Sequence, residues 1–247
     1  MNNCLNCNEI LEGKFCKECG QKADTHRLSF HHAVHDVQHN IIHFDKGFLY
    51  NLQTIWKPSL IFDYLDGKRV RFFNIFAYLI LCTAIFIYII NLVFGNNGAT
   101  ANSTQVINHL DSQLTIGYKI GFAFAYLYKN LKQYFTIIGI FPFTIFSYLI
   151  FRNMKLYFWE HFYINLFIFS NLAIISCAIF PFWNHFFPHF NLFFIYVPII
   201  FIMYFQLFKN RNPISITILK SILITIFGFI GILLISYFFG YMILFAK

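Results

Sequence analysis

Residues 221–245 read SILITIFGFIGILLISYFFGYMILF, a run of 25 residues without a charged side chain. A transmembrane α-helix needs about 20 predominantly apolar residues, so this stretch predicts a membrane-spanning helix. The composition of the whole chain points the same way. Of its 247 residues, 58% are hydrophobic and 11% are charged, whereas a soluble domain carries about 25% charged residues. Composition therefore predicts an integral membrane protein and argues against a soluble enzyme and against a disordered chain.

Four other stretches are also long, apolar and uncharged. With the first, the predicted spans are residues 73–94, 134–151, 162–182, 191–208 and 221–245. A further stretch, residues 116–132, is predicted to be an interfacial or partly re-entrant helix, because a sixth crossing there would move the later basic loops to the outer face. The expected fold of residues 72–247 is an all-α polytopic membrane domain with about five transmembrane helices.

The charges indicate the orientation of these helices. Residues 1–71 carry nine basic and eight acidic side chains, and the remainder carries nine basic and two acidic ones. With five spans, eight basic residues next to the helices fall on one side, and they are Lys68, Arg69, Arg71, Arg152, Lys155, Lys209, Arg211 and Lys220. The loop 95–114, which has no Lys or Arg, falls on the other side. Because basic loops stay in the cytoplasm, we expect a cytoplasmic N-terminus and a location in the cytoplasmic (inner) membrane.

Two partner classes follow from the same charges. Membrane lipid is an expected partner of the apolar helices. Nucleic acid is not expected, because the surplus of Lys and Arg lies beside apolar runs and not on a soluble basic face.

The first twenty residues lack the apolar core of a secretory signal peptide. We therefore expect reduced cysteines at the N-terminus.

Four cysteines near the N-terminus form two C-x2-C pairs, Cys4 with Cys7 and Cys16 with Cys19. Two such pairs supply the four thiolates of a closed tetrahedral site, so residues 1–24 are predicted to be a zinc ribbon whose metal is structural. Rubredoxin-like iron and a redox dithiol are the alternatives. Cys82 and Cys177 lie inside apolar runs and are expected to pack in the core.

Residues 25–71 are predicted to be cytoplasmic amphipathic or interfacial helices. Histidines recur every fourth residue in this segment, at His31, His35, His39 and His43. Histidines at this spacing can share a metal ion on one helix face, which makes them weak candidates for a second metal site. The favoured interpretation is an amphipathic helix on the membrane surface.

Ionisable and amide side chains close to the membrane are the remaining candidates for function. Glu160 and His161 lie next to each other at the cytoplasmic end of the third span, where they could relay protons, bind an ion or form a structural pair. Four polar residues within the spans could hydrogen-bond between helices, and they are Asn91, Asn165, Ser170 and Asn171. The sequence has no catalytic motif such as G-x-S-x-G or H-E-x-x-H, so enzymatic activity is not the favoured expectation.

Three stretches resemble a bacterial membrane-protein family that is catalogued as a domain of unknown function. They are CLNC…GKFCKECGQK, DKGFLYNLQTIWKPSLIFDYLDGKRVRFFNIFAYL and YFWEHFYINLFIF. The resemblance rests on Cys4, Cys7, Cys16, Cys19, Gly20, Gln21, Pro58, Tyr64, Gly67, Lys68, Arg69, Glu160 and His161. It implies an N-terminal zinc ribbon joined to a helical membrane domain, and it implies no particular activity.

Two functional hypotheses follow. The first is a scaffold or partner-recruiting membrane protein, in which the cytoplasmic zinc ribbon binds a protein partner or mediates self-association. The second is a small transporter or channel that uses Glu160 and His161.

Overall fold

The computed structural model describes residues 3–23, 25, 27–28, 47–94, 135–186 and 193–245. The helices in these ranges are α1 (Gly47–Leu52), α2 (Leu60–Leu65), α3 (Ile75–Phe94), α4 (Phe135–Ile150), α5 (Phe158–Phe186), α6 (Phe193–Phe208) and α7 (Ile214–Phe245). The predicted all-α class is confirmed for this part of the chain, where the β pairing amounts to two isolated bridges near the N-terminus. The predicted loop 95–114, the helix 116–132 and the four histidines His31, His35, His39 and His43 lie outside the described residues.

Three helices are long and apolar enough to cross a membrane, over Ile75–Val93, Phe158–Trp183 and Ile214–Ile235. They correspond to the predicted spans 73–94, 162–182 and 221–245. The helix α7 begins before its predicted span because Lys220 does not interrupt it. The Lys220 ammonium group donates a hydrogen bond to Asn153 Oδ1 over 2.7 Å and lies over the Phe151 ring, so its charge is accommodated beside the helix.

The other two predicted spans, 134–151 and 191–208, are also apolar helices. They are α4 and α6, and each has 16 residues. A helix of this length rises about 24 Å, which is less than the roughly 30 Å of a bilayer core.

Helix α5 lies at the centre of the bundle, with α3 and α4 packed along it and α6 touching it. Ring contacts give the helix directions. Phe76 lies beside Phe162 and Phe86 lies beside Phe180, so α3 and α5 are parallel. The short connection from Ile150 to Phe158 makes α4 antiparallel to α5.

Helix α7 completes the bundle by packing against α4 and α6. Phe227 stacks on Phe146, and Gly231 meets Pro142, so α7 is antiparallel to α4. The last residue of α6, Phe208, stacks on Phe151 at 3.8 Å between ring centroids. Helices α3, α5 and α7 therefore begin, and α4 and α6 end, on the same side of the bundle, which we call the basal end.

Two buried asparagines on α5 connect the helices, as the sequence predicted. Asn165 donates to Ser147 Oγ of α4 over 3.2 Å and accepts a hydrogen bond from the Tyr204 hydroxyl of α6. Asn171 accepts from the Tyr78 hydroxyl of α3 over 2.8 Å and donates to Thr54 Oγ1 over 2.7 Å.

Two other predicted contacts between helices take a different form. The hydroxyl of Ser170 donates to the carbonyl of Leu166 in its own helix over 2.6 Å. Asn91 is exposed near the end of α3. A serine in a helix can satisfy its hydroxyl on the preceding turn, and it then needs no partner on a neighbouring helix.

Helices α4 and α7 lie in close contact at Gly228. A Cβ atom built there would lie 2.5 Å from Cζ of Phe143. Phe143 is fully buried, and its ring is held by Phe169 at 5.3 Å and by Phe229 at 5.6 Å between centroids. The ring therefore has little room to move away from a larger residue at Gly228.

We expect Gly228→Ala to destabilise the bundle by about 1–3 kcal/mol, the usual cost of an extra methyl group in a packed core. The measurement is the midpoint of unfolding in detergent micelles. Gly13→Ala is the matched control, because a Cβ at Gly13 meets nothing within 4 Å. Equal midpoints for the two variants would contradict the close contact at Gly228.

Candidate metal centre

The four N-terminal cysteines lie on two turns with the same hydrogen-bond pattern, twelve residues apart. In the first turn, Cys4 N–H donates to the Glu9 carbonyl over 2.7 Å, and Asn8 N–H donates to the Cys4 carbonyl over 2.9 Å. In the second, Cys16 N–H donates to the Gln21 carbonyl over 2.8 Å, and Gly20 N–H donates to the Cys16 carbonyl over 2.9 Å.

The tight turns require a left-handed backbone at equivalent positions. Asn8 has a φ of 65° and Gly20 a φ of 73°. Glycine and asparagine are the residues that adopt this conformation most readily. The sequence C-x2-C followed by Asn or Gly therefore folds each pair of cysteines into a knuckle whose two sulfurs point the same way.

The two knuckles face each other and bring the sulfurs together. Sγ of Cys4 lies 3.6 Å from that of Cys19, and Sγ of Cys7 lies 3.5 Å from that of Cys16. All four sulfurs lie within 4.8 Å of one another, and all four cysteines are free of disulfides. Metal–sulfur bonds of about 2.3 Å in a tetrahedron place sulfurs about 3.8 Å apart, so the cluster fits a tetrahedral metal ion. The predicted ligand set can hold a metal.

The thiol groups in this cluster influence one another. A hydrogen bond from the Asn6 side chain and one from the Gln21 backbone lower the pKa of Cys19 to about 6. At Cys7 the backbone hydrogen bond at Glu9 acts in the same direction, but desolvation and hydrogen bonds with the neighbouring sulfurs outweigh it and raise the pKa to about 12. Thiolates this close repel one another, and a bound cation removes that repulsion. Metal binding would therefore release protons from the cluster.

The two cysteine turns are attached to the helical bundle through Gln21. This side chain is 3% exposed, and its Oε1 accepts hydrogen bonds from the backbone N–H groups of Arg69 and Val70, each over 3.1 Å. Gly67 lies in the same bend, with a φ of 96°. A Cβ at Gly67 would come within 2.9 Å of Cδ1 of Leu5, so the bend also touches the first turn, and the positive φ favours a glycine at this position.

A second attachment joins Arg27 to Glu160 in the first turn of α5. Arg27 Nε lies 2.8 Å from Glu160 Oε1, and its Nη2 lies 2.9 Å from Oε2, so the pair is bidentate. The guanidinium group also stacks on the Tyr157 ring at 3.8 Å. Glu160 Oε2 accepts the backbone N–H of Tyr157 over 2.8 Å, as in a capping box at the start of a helix. Glu160 therefore caps α5 and fixes the chain that leaves the ribbon.

Glu160 and His161, which the sequence singled out as a pair, have different surroundings. His161 is fully buried and meets the Tyr148 ring edge-to-face at 5.9 Å. Among the residues that the structure describes, neither of its ring nitrogens has a hydrogen-bond partner. The carboxylate oxygens of Glu160 are occupied by Arg27 and Tyr157. The use of Glu160 and His161 together in transport stays a prediction.

Sequence reasoning did not identify Arg27, although one signal indicated that Glu160 needs a basic partner. Glu160 is the only acidic residue after Asp111. A carboxylate placed at the start of an apolar span needs a basic partner when it is buried. That partner could have been sought among the cations that precede the bundle, but nothing in the sequence selects Arg27 from among them.

Comparison with known proteins adds no relatives: no family model matches this chain, and no curated protein or solved structure is detectably similar to it.

Proposed function

We propose that this chain is an integral protein of the cytoplasmic membrane, in which a cytoplasmic zinc ribbon is held on a bundle of five transmembrane helices and recruits a protein partner. The observation that carries the proposal is the double attachment of the ribbon. Gln21 fastens the ribbon to the bend before α3, and Arg27, three residues beyond the ribbon, fastens the chain that leaves it to α5. A docking module fixed in this way presents its surface in a constant position relative to the membrane.

The clustering of charge at the basal end supports the orientation. Basic residues on the chain segments at this end are Lys68, Arg69, Arg71, Arg152, Lys155, Lys209 and Arg211. Five crossings with the basal end in the cytoplasm satisfy the positive-inside rule. In this arrangement α4 and α6 cross together with the three longer helices, and the ribbon lies in the reducing compartment that keeps its cysteines free.

Zinc is the proposed metal because four thiolates form a closed structural site for it. The ion would be held by Cys4, Cys7, Cys16 and Cys19, which leave no open coordination position for a substrate. Its contribution would be folding energy, since about twenty residues bury too little apolar surface to fold alone. We further propose that the chain belongs to the family that it resembles in its cysteine pairs and in the segment from Pro58 to Arg69.

The ribbon itself offers an apolar surface for a partner. Phe15 is 60% exposed, and Ile10 and Leu5 are also exposed. These side chains lie on or next to the two knuckles, where a metal-stabilised fold would hold them in place. Large apolar residues on an exposed, rigid module are typical of protein-binding surfaces.

The proposal is tested by photo-crosslinking in cells, with a photoreactive amino acid at Phe15. We expect a discrete crosslinked product that disappears when Cys16→Ser is added. A product of twice the chain mass identifies the partner as a second copy. Phe182, equally exposed but on α5 far from the ribbon, is the control position and should not give this product. A Phe15 product that persists in the Cys16→Ser background, or its absence from wild type, would refute recruitment through the ribbon.

A further inference from the structure

The bend formed by residues 67–71 joins two parts of the molecule. It contacts the metal-binding knuckles through Gly67, Arg69 and Val70, and it leads directly into α3, which begins at Ile75. Any change in the order of the knuckles can therefore reach the start of a membrane helix through this bend.

We propose that Gln21 is a metal-dependent latch, which holds the bend 67–71 closed when the cysteine cluster carries its metal and releases it when the metal is lost. The inference rests on the metal binding assumed in the proposed function, and it adds a regulatory connection from metal occupancy to the helical bundle. It does not depend on the existence of a protein partner.

The position of Gln21 connects it to the metal ligands. Its backbone carbonyl accepts the N–H of Cys16, and Gly20 N–H returns a hydrogen bond to the Cys16 carbonyl. These two bonds shape the second knuckle. The metal would fix this knuckle through Cys16 and Cys19, so the side chain of Gln21 is placed correctly only when the knuckle is folded.

The contact of the latch with the bend depends on the side-chain amide of Gln21. One oxygen accepts both the Arg69 and the Val70 N–H groups, and the glutamine side chain is buried. Arg69 is partly buried and Val70 is 43% exposed, so water can reach this part of the bend once Gln21 has left it. If the knuckle unfolds, these two N–H groups are expected to turn to water, and the bend is expected to open.

The bend is also held from its own stretch of chain. Arg69 Nε donates to the Tyr64 carbonyl over 3.3 Å, and Phe72 N–H donates to the Arg69 carbonyl over 3.0 Å. Lys68 forms an ion pair with Asp63 over 2.9 Å, but both side chains are largely exposed and such pairs contribute little. Lys68 N–H donates to the Asp63 carbonyl, and Arg69 N–H lies 3.0 Å from the Gly67 carbonyl as well as near Gln21. The part of this support that comes from the ribbon is the pair of hydrogen bonds from the Arg69 and Val70 N–H groups to Gln21.

The bend contains three residues after which trypsin cleaves, Lys68, Arg69 and Arg71. Cleavage at these positions requires local opening of the chain. The test is limited trypsin digestion of the full chain in detergent micelles, with cleavage after residues 68, 69 and 71 followed by mass spectrometry. With zinc bound, we expect slow cleavage in wild type. After removal of zinc by a chelator, we expect cleavage at least about tenfold faster, because two hydrogen bonds to the bend are lost.

Two substitutions at one position separate the latch from a general loss of structure. Gln21→Ala removes the acceptor, so cleavage should be fast even when metal analysis shows one zinc per chain. Gln21→Glu keeps an oxygen that can accept both N–H groups, so its cleavage should be slow with zinc and fast without it. Cleavage after Lys14 and Lys17, inside the ribbon, reports whether each variant has kept its folded knuckles.

Two results would overturn the inference. One is an unchanged cleavage rate at residues 68–71 after zinc has been removed. The other is a zinc-loaded Gln21→Ala variant that is cleaved there as slowly as wild type. Neither result bears on recruitment of a partner, which the crosslinking at Phe15 decides separately.

Discussion

Cys16→Ser is expected to reduce the bound metal from one ion per chain to nearly none. Cys16 is a buried member of the sulfur cluster, and its backbone forms the second knuckle. Apparent binding free energies of structural zinc sites are about 10–16 kcal/mol, and for so small a module this is most of the folding energy. We therefore expect the ribbon to unfold while the helices remain. The measurements are metal analysis of the purified protein and the helical signal in circular dichroism.

The matched control for this experiment is Cys177→Ser in α5. The Cys177 thiol donates to the Ala173 carbonyl of its own helix over 3.2 Å, a contact that a serine hydroxyl can also make. This variant should retain one metal ion per chain. A Cys16→Ser protein that still binds one equivalent as tightly as the control would show that the four cysteines are not the ligand set.

Arg27→Ala is expected to produce the second large effect, a loss of about 1–3 kcal/mol in stability. It removes both charge-assisted hydrogen bonds from the carboxylate of Glu160, which is 2% exposed. Breaking a fully buried ion pair costs about 3–5 kcal/mol. The Arg27 side chain is 51% exposed, so water screens the pair and the expected value is lower. The midpoint of chemical unfolding in micelles measures this loss.

A double variant distinguishes the unpaired charge from simple loss of packing. Glu160→Gln removes the negative charge but keeps an oxygen that can accept the Tyr157 N–H. Arg27→Ala combined with Glu160→Gln should therefore be more stable than Arg27→Ala alone. If the second substitution makes the protein still less stable, the ion pair does not account for the effect of Arg27.

The helical elements could be predicted to different degrees. Composition and run length predicted helices over all five spans, because an uncharged apolar stretch of about 20 residues is typical of a transmembrane helix. The starts of α5 and α7 were predicted too late. A charged residue near the start of each helix resembles a helix boundary in the sequence: Glu160 lies in the first turn of α5 and Lys220 in the second turn of α7. Each meets a partner from elsewhere in the chain, Arg27 and Asn153, and is thereby tolerated inside a helix.

The candidate metal centre followed from spacing alone, because both knuckles are local. Each C-x2-C pair is closed by hydrogen bonds that span five residues or fewer, and the left-handed residue follows directly after it. The junction with the bundle could not be derived in this way. Gln21 meets Arg69 and Val70 across nearly fifty positions, and Arg27 meets Glu160 across 133. No periodicity or motif encodes such distances.

The sequence by itself determined the class of this protein, its apolar helices and the cysteines that can hold a metal, since each depends on composition or on neighbours within one turn. The tertiary structure alone decided that the four-cysteine segment is attached to the basal end, that Glu160 pairs with Arg27 and not with His161, and that Asn165 and Asn171 connect the helices. These contacts depend on which surfaces face each other after folding. The packing of the whole chain decides which surfaces face each other, and no short stretch of sequence encodes this choice.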